Sequence, residues 1–341
     1  MTLPMKIAAL TQGLNIPSAR FRIRQLVDPL AHHGITLEEL PAIPDAYPPA
    51  GGLPRLAWIS STFMNTLKRT IRSRNYDVCI LQRELISTLP TLEAFVGKPM
   101  IADIDDAIWL YRGGVAAHYL AKQAHHLVAG NAHIAEHFAN LGCQVTIIPT
   151  GVDTDRFHPL KPLVKRDYGV IGWSGTAGGY AYFEPLEAAL GELLDRNRNW
   201  RLRFISDRAP RFTRLPAAQV EYRPWSIEEE AALTADMDIG LMPLDNSPWS
   251  LGKCSYKMLL YMACEIPVLA SDVGMNTEIL RMGEVGLGAQ SNEDWISGLE
   301  ALMQDTTLRR RLGETGRQLV KECFSLDVVT SQWLQLIQGL V

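Results

Sequence analysis

The chain has 341 residues, 47% of them hydrophobic and 21% charged, and a formal net charge of -4. That length exceeds one ordinary core and the balance is globular, so two domains are expected and a disordered or fibrous chain is excluded. Five scattered cysteines with no CxxC exclude a disulfide framework or zinc ribbon, and no run approaches the ~18 apolar residues of a spanning helix.

The opening MTLPMKIAALTQGLN lacks a long apolar stretch. No signal peptide is expected, and the predicted location is cytoplasmic, or peripheral at the inner face of a membrane. KIAAL, DVCILQ, PMIADI, HLVAGN and VTIIP then read as buried strands. Helical stretches at 18–33, 55–75, 85–96 and 131–141 separate them. Apolar strands alternating with helices predict a parallel sheet covered on both faces. The proline-containing passage at 149–169 reads as a linker. The alternation restarts with YGVIGWSG, RLRFIS, VEYRPW, DIGLMP and IPVLAS as strands. Helices are predicted at 183–195, 226–235, 253–264, 292–304, 306–322 and 326–338. The expected fold is α/β, with two facing Rossmann-like domains. They cover residues 1–155 and 165–322, and 323–341 is a C-terminal helix packing back on the first domain. Ligands of such sheets bind beyond the carboxyl ends of the strands.

Charge is uneven. Residues 1–165 hold 16 Lys and Arg against 13 Asp and Glu, and the remainder 17 against 24. The first half is therefore the better match for an anionic surface. Within it, RLAWISSTFMNTLKRTIRSR (55–74) places Leu56, Ile59, Phe63, Leu67 and Ile71 at helical spacing, with a basic end. It reads either as a core-facing helix with a basic outer face or as a helix lying on an anionic membrane. Negative overall charge and the absence of repeated base-stacking aromatics argue against nucleic acid as a partner.

Several strand-end stretches carry chemistry. In TQGLNIPSARFRIR, Gly13 lets the backbone approach a ligand and Ser18 is placed to cap a helix. Arg20 and Arg24, four apart, read as contacts to an acidic ligand or as a solvated face, with Arg20 nearer the strand end. IADIDDA offers Asp103, Asp105 and Asp106 for a divalent metal, for contact with a ligand or for a helix cap. Asp105 and Asp106 are candidates for general-base work on a bound ligand, and His118 follows in a segment that reaches the same end. In the second half, GWSGTAGG (172–179) reads either as a plain turn or as a phosphate-approach loop through Ser174, Gly175 and Thr176. Lys253 and Lys257, four apart and flanking Ser255, are predicted on one face at a helix start, either solvated or neutralising an anion. Ser226 and Glu229 in RPWSIEEE have the spacing of a capping box after Trp225.

DIGLMPLDNSPWSLGKCSYKMLLYMACEIPVLASDVGMNTEIL, with IADIDDAIW, LVAGNAHIAEHFANLGCQVTIIPTGVD and IGWSGTAGGYAYFEPLEAAL, resembles retaining glycosyltransferases of family 4, glycosyl transferases group 1, which have the GT-B fold. The resemblance covers nearly the whole chain in order. It implies transfer of a sugar from a nucleotide diphosphate sugar, held by the second domain, to a glycan or lipid-linked acceptor held by the first, as in polysaccharide biosynthesis. No cofactor or obligatory metal is implied, because Lys253 and Lys257 would neutralise the leaving diphosphate. It also implies that Trp225 lies near the nucleobase and Glu278 near the nucleotide, that Gly13, Arg20 and His118 are acceptor contacts, and that Asp105 or Asp106 is the candidate for removing the acceptor proton. Two departures stand out. Gly252 and Leu260 occupy the places of the usual glutamate pair, and Glu265 the place of a usual glycine. Rival readings are a GT-B sugar-nucleotide epimerase, a non-catalytic nucleotide-sugar-binding protein and, with no clean GxGxxG to support it, an NAD-dependent oxidoreductase.

Overall fold

The computed structural model describes residues 5–47, 49, 51–160 and 166–340. The chain divides into two compact units. The first comprises Met1–Gly151, Leu251–Cys254 and Leu326–Val341, and the second Val152–Ser250 and Ser255–Ser325. Part of the expected linker, 161–165, lies outside the described residues. Gly151 ends the first unit and Val152 begins the second, which includes the described linker residues that follow.

In the first unit β1 (Met5–Thr11), β2 (Ile35–Pro41), β3 (Val78–Gln82), β4 (Met100–Ile104), β5 (His126–Ala129) and β6 (Val145–Ile147) form one parallel sheet in the order β2-β1-β3-β4-β5-β6. Its helices are α1 (Pro17–Arg22), α2 (Val27–His32), α3 (Leu53–Ser73), α4 (Val115–Gln123) and α5 (Ala132–Ala139). Alternation along the strands gives the sheet two buried faces. One presents Ile7, Ala9, Val78, Ile80, Ile101 and Val128 to Ile23, Leu26 and Leu30 from the first helical segments. The same core takes Val329, Trp333 and Ile337 from the C-terminal helix.

The second unit repeats the arrangement. β7 (Gly169–Ser174), β8 (Trp200–Ser206), β9 (Val220–Pro224), β10 (Ile239–Met242), β11 (Val268–Ser271) and β12 (Gly286–Ala289) form a parallel sheet in the order β12-β11-β10-β7-β8-β9. The remaining helices are α6 (Glu187–Arg196), α7 (Glu230–Ala235), α8 (Pro248–Leu251), α9 (Tyr256–Ala263), α10 (Met275–Met282), α11 (Asn292–Gln304), α12 (Thr306–Leu319) and the C-terminal α13 (Leu326–Gln338) of the first unit. Local signals set several starts. Ser291 and Asp294 form a reciprocal capping box on α11, and Asp305 caps α12.

The elements depart from expectation where local conformation overrides periodicity. Residues 85–96 hold only a 3-10 turn at Glu93–Phe95. The Glu93 carboxylate folds back to accept from the amides of Leu85 and Thr91, giving this backbone an alternative to a helix. The helix expected from 253 begins at Tyr256, because Ser255 has a left-handed backbone (φ +48°). Ile16 rather than Ser18 is the N-cap of α1, and Ser226 accepts from the Glu229 amide in a turn that precedes α7.

Strand order reverses between β1 and β3 in the first unit and between β7 and β10 in the second. Crossovers diverge there and leave a crevice beyond the strand ends, which is where ligands of such sheets bind.

Candidate functional site

In the second unit the β7 end carries Ser174, Gly175 and Thr176. The Ser174 amide donates to the hydroxyl of Tyr261 (2.9 Å), whose burial pushes its phenol up and keeps it neutral. The Gly175 amide donates to Ile205 O (3.0 Å) and the Ala177 amide to Asp207 Oδ1 (2.6 Å). Three amide donors of this stretch, those of Ser174, Gly175 and Ala177, are thus already bonded within the protein. A Cβ on Gly175 would stand 2.6 Å from Lys257 Cε and 2.7 Å from the Trp173 ring. Only glycine lets the Lys257 stem cross the loop there. The Lys257 ammonium lies 5.6 Å from the Trp173 ring centroid, on the first turn of α9.

A chain of neutral groups fixes this end of the sheet. The Ser255 hydroxyl donates to Asn276 Oδ1 (2.7 Å), and the Asn276 amide donates to Ser271 O (3.1 Å). Ser271 in turn bridges the amide and carbonyl of Leu244. The carboxylate of Asp245 is partly buried, but hydroxyls of Ser247 and Ser250 hold it below the usual range. Glu278 is exposed in the first turn of α10. Trp225 is 41% exposed and its indole donates to Glu230 Oε1 (3.1 Å), so it does not fill the core. A groove of about 1140 Å³ opens beside Ala177, bordered by Tyr180, Arg208, Arg211, Phe212 and Arg214.

In the first unit the β4 end is an ion-pair cluster. Arg22, buried on α1, donates to Asp103 (3.2 Å through Nε) and to Ile148 O (2.9 Å). Arg83 donates to Asp105 (2.5 Å) and Asp106 (2.6 Å), and Lys253 to Asp106 (2.8 Å). Burial alone would raise Asp105, but the Arg83 guanidinium beside it holds it below the usual carboxylate range. The segment Leu251–Cys254 is therefore part of this unit. Asn131 donates to the carbonyls of Leu251 and Lys253, and the Cys254 thiol donates to Asp105 O. A Cβ on Gly252 would stand 2.6 Å from Ala107 Cβ and 2.7 Å from its amide nitrogen, so no glutamate fits that place.

Lys253 and Lys257 consequently do not share a helix face. Lys253 lies before α9 and is bound to the first unit, and Lys257 belongs to the second. Leu260 is buried on α9. Glu265 has φ +60° just beyond the same helix, with the Ile266 amide donating to Tyr261 O. That is the left-handed position where a glycine carries no steric cost. Of the other candidates, Gly13 leaves room for the Asp45 carboxylate, and its carbonyl accepts from Arg24, which pairs with Glu39. Arg20 lies 4.0 Å over the Phe21 ring. His118 faces His137 (Nε2 to Nε2, 3.1 Å), and His137 stacks on Trp109 at 4.0 Å. Among the described residues no three His, Cys, Asp or Glu side chains converge as a metal cage.

Sequence reasoning missed the β1–β3 crevice itself. Tyr47 donates to Gln12, and Gln12 to Glu84 O. Arg83 holds a left-handed backbone (φ +55°), and burial pushes Glu84 up to about 7. Arg83 and Glu84 directly follow the strand DVCILQ, and that position at a strand end was the available signal.

A model of the family described as Glycosyl transferases group 1 matches residues 174–305. No curated protein sequence matches the chain. Among solved structures, sucrose-phosphate synthase from Thermosynechococcus elongatus is similar with a TM-score of 0.75 at 15% identity, over 98% of this chain and 99% of that one. HepE from Anabaena, solved with UDP and glucose, has a TM-score of 0.73 at 14% identity, over 98% and 100%. A glycosyltransferase from Rickettsia africae has a TM-score of 0.69 at 14% identity, over 98% of each chain. The fold is GT-B, as the sequence predicts, and the family match falls on residues 174–305.

Proposed function

We propose that the chain is a retaining glycosyltransferase that moves a sugar from a nucleotide diphosphate sugar to a glycan or lipid-linked acceptor. In this reading the second unit binds the donor and the first the acceptor. The observation that carries it is Lys257, on the first turn of α9 and crossing Gly175 in the loop after β7, inside the matched stretch.

The bond from the anomeric carbon to the diphosphate breaks, and the acceptor oxygen bonds to the same face. The acceptor proton passes to the departing phosphate oxygen. Charge grows on the diphosphate, and a fixed ammonium favours that state over the ground state. Lysine neutralisation makes a metal unnecessary in this scheme. Ser174, Thr176, Ser255, Trp225 and Glu278 are the proposed donor contacts or their frame. Lys253 is the second proposed cation, its ammonium held by Asp106. Gly13, Arg20 and His118 are the proposed acceptor contacts. Asp105 and Asp106, each bonded to Arg83, are proposed to position groups rather than to take the proton.

The test is a titration of the purified protein with UDP, GDP, ADP and TDP in excess EDTA, beside Lys253→Ala and Lys257→Ala. UDP comes first because HepE, a fold neighbour, is solved with it. Tight binding of one diphosphate is expected, weakened about a hundredfold in Lys257→Ala. No binding by folded wild type, or binding indifferent to Lys257, removes the donor-site assignment. Conversion of a sugar nucleotide to a new one without acceptor replaces transfer by epimerisation.

A further inference from the structure

The helix α3 is built inside out. Its buried positions are Thr62, Thr66, Arg69, Thr70 and Ser73. The Thr62, Thr66 and Thr70 hydroxyls find no hydrogen-bond partner there, and Arg69 is held by the carbonyls of Thr11 and Leu40. Trp58 and Leu67 are half-buried, and five other apolar side chains point outward. Leu56, Ile59, Phe63, Met64 and Ile71 are 65%, 51%, 55%, 50% and 57% exposed. Four of them follow helical spacing along a stripe about 22 Å long at 1.5 Å per residue. One neighbouring loop lies at its end: Phe95, 55% exposed, accepts at its carbonyl from Arg74. A contiguous outward apolar stripe of this length marks an interaction surface.

The charge on the helix identifies what covers it. Between residues 53 and 74 there is no Asp or Glu. Arg72 is paired with Glu38 of β2, while Arg55, Lys68 and Arg74 are exposed with no ion pair to an acid among the described contacts. A second copy meeting this face would bring like charges together. An anionic bilayer satisfies both halves, taking the apolar stripe at the acyl boundary and the cations at the headgroups. No described helix is long and apolar enough to cross a membrane, so the contact is interfacial. We propose that the exposed face of α3, with Phe95 at its end, is the surface by which this protein docks on an anionic lipid membrane. The proposal stands apart from the transfer chemistry.

The experiment is co-sedimentation with vesicles of phosphatidylcholine alone or mixed with phosphatidylglycerol, at low and high salt, in the absence of nucleotide. Wild type should partition onto the mixed vesicles only, and less at high salt. Ile59→Ser with Phe63→Ser should abolish partition. Arg55→Gln and Lys68→Gln should each lower it about fivefold. Nucleotide affinity, unchanged in the exposed-face variants, separates this test from that of the donor site. Failure of wild type to bind, or binding indifferent to the variants, overturns the proposal. So does a dimer that dissolves in Ile59→Ser with Phe63→Ser while no vesicle binding is seen.

Discussion

The two strand-end frames solve the same problem with opposite materials. In the first unit Asp103, Asp105 and Asp106 are matched by Arg22, Arg83 and Lys253. In the second, hydroxyls and amides fix the backbone through Tyr261, Ser255, Asn276 and Ser271. A frame of buried ion pairs holds geometry strongly but loses much when one partner is removed. A frame of neutral hydrogen bonds loses about 1 kcal/mol per bond.

That contrast can be broken at four positions. Arg83→Ala leaves two carboxylates in a buried site and should cost about 3–5 kcal/mol by chemical denaturation. Arg83→Lys keeps the charge but not the fork that reaches both, and should fall between. A loss below 1 kcal/mol for Arg83→Ala would dissolve the distinction between the frames. Next comes Glu84, whose folded value of about 7 lies above its unfolded one. Such a group favours folding below about pH 4 and loses that contribution as pH rises through 7. Glu84→Gln should therefore be near neutral at pH 5 and stabilising by about 2 kcal/mol at pH 8. A pH-independent difference between variant and wild type would refute the burial argument. In the second unit Tyr261→Phe strands the Ser174 amide and should cost about 1–2 kcal/mol, read as a lower Tm. Smallest is Glu265→Gly, which relieves a left-handed backbone and should stabilise by about 1 kcal/mol. Its weak contact with Arg317 at 3.8 Å offsets little of that.

Much of the architecture was legible because buried parallel strands are apolar runs. DVCILQ, PMIADI and RLRFIS lie where the sequence places them. β2 escaped because its strand ITLEELP is half polar, and β12 because GLGA has little strand propensity. The candidate site was legible in residue type but not in placement. Spacing puts Lys253 and Lys257 on one helix, and the left-handed Ser255 that separates them has no sequence mark. The resemblance locates the departures at Gly252 and Glu265. Only Ala107, packed against the first, and the positive φ of the second give them physical meaning. Periodicity finds α3 but cannot say which of its faces is buried.

The membership of Leu326–Val341 in the first unit sets an order of events during synthesis. Domains usually fold in turn as the chain emerges from the ribosome. Here the hydrophobic core begun by Ile7 and Ile80 waits for Trp333 and Ile337, more than three hundred residues behind the first strand. The second unit is fully translated before the first can be completed. The unit that starts before the other is completed after it, and its apolar face needs protection until Trp333 and Ile337 have emerged.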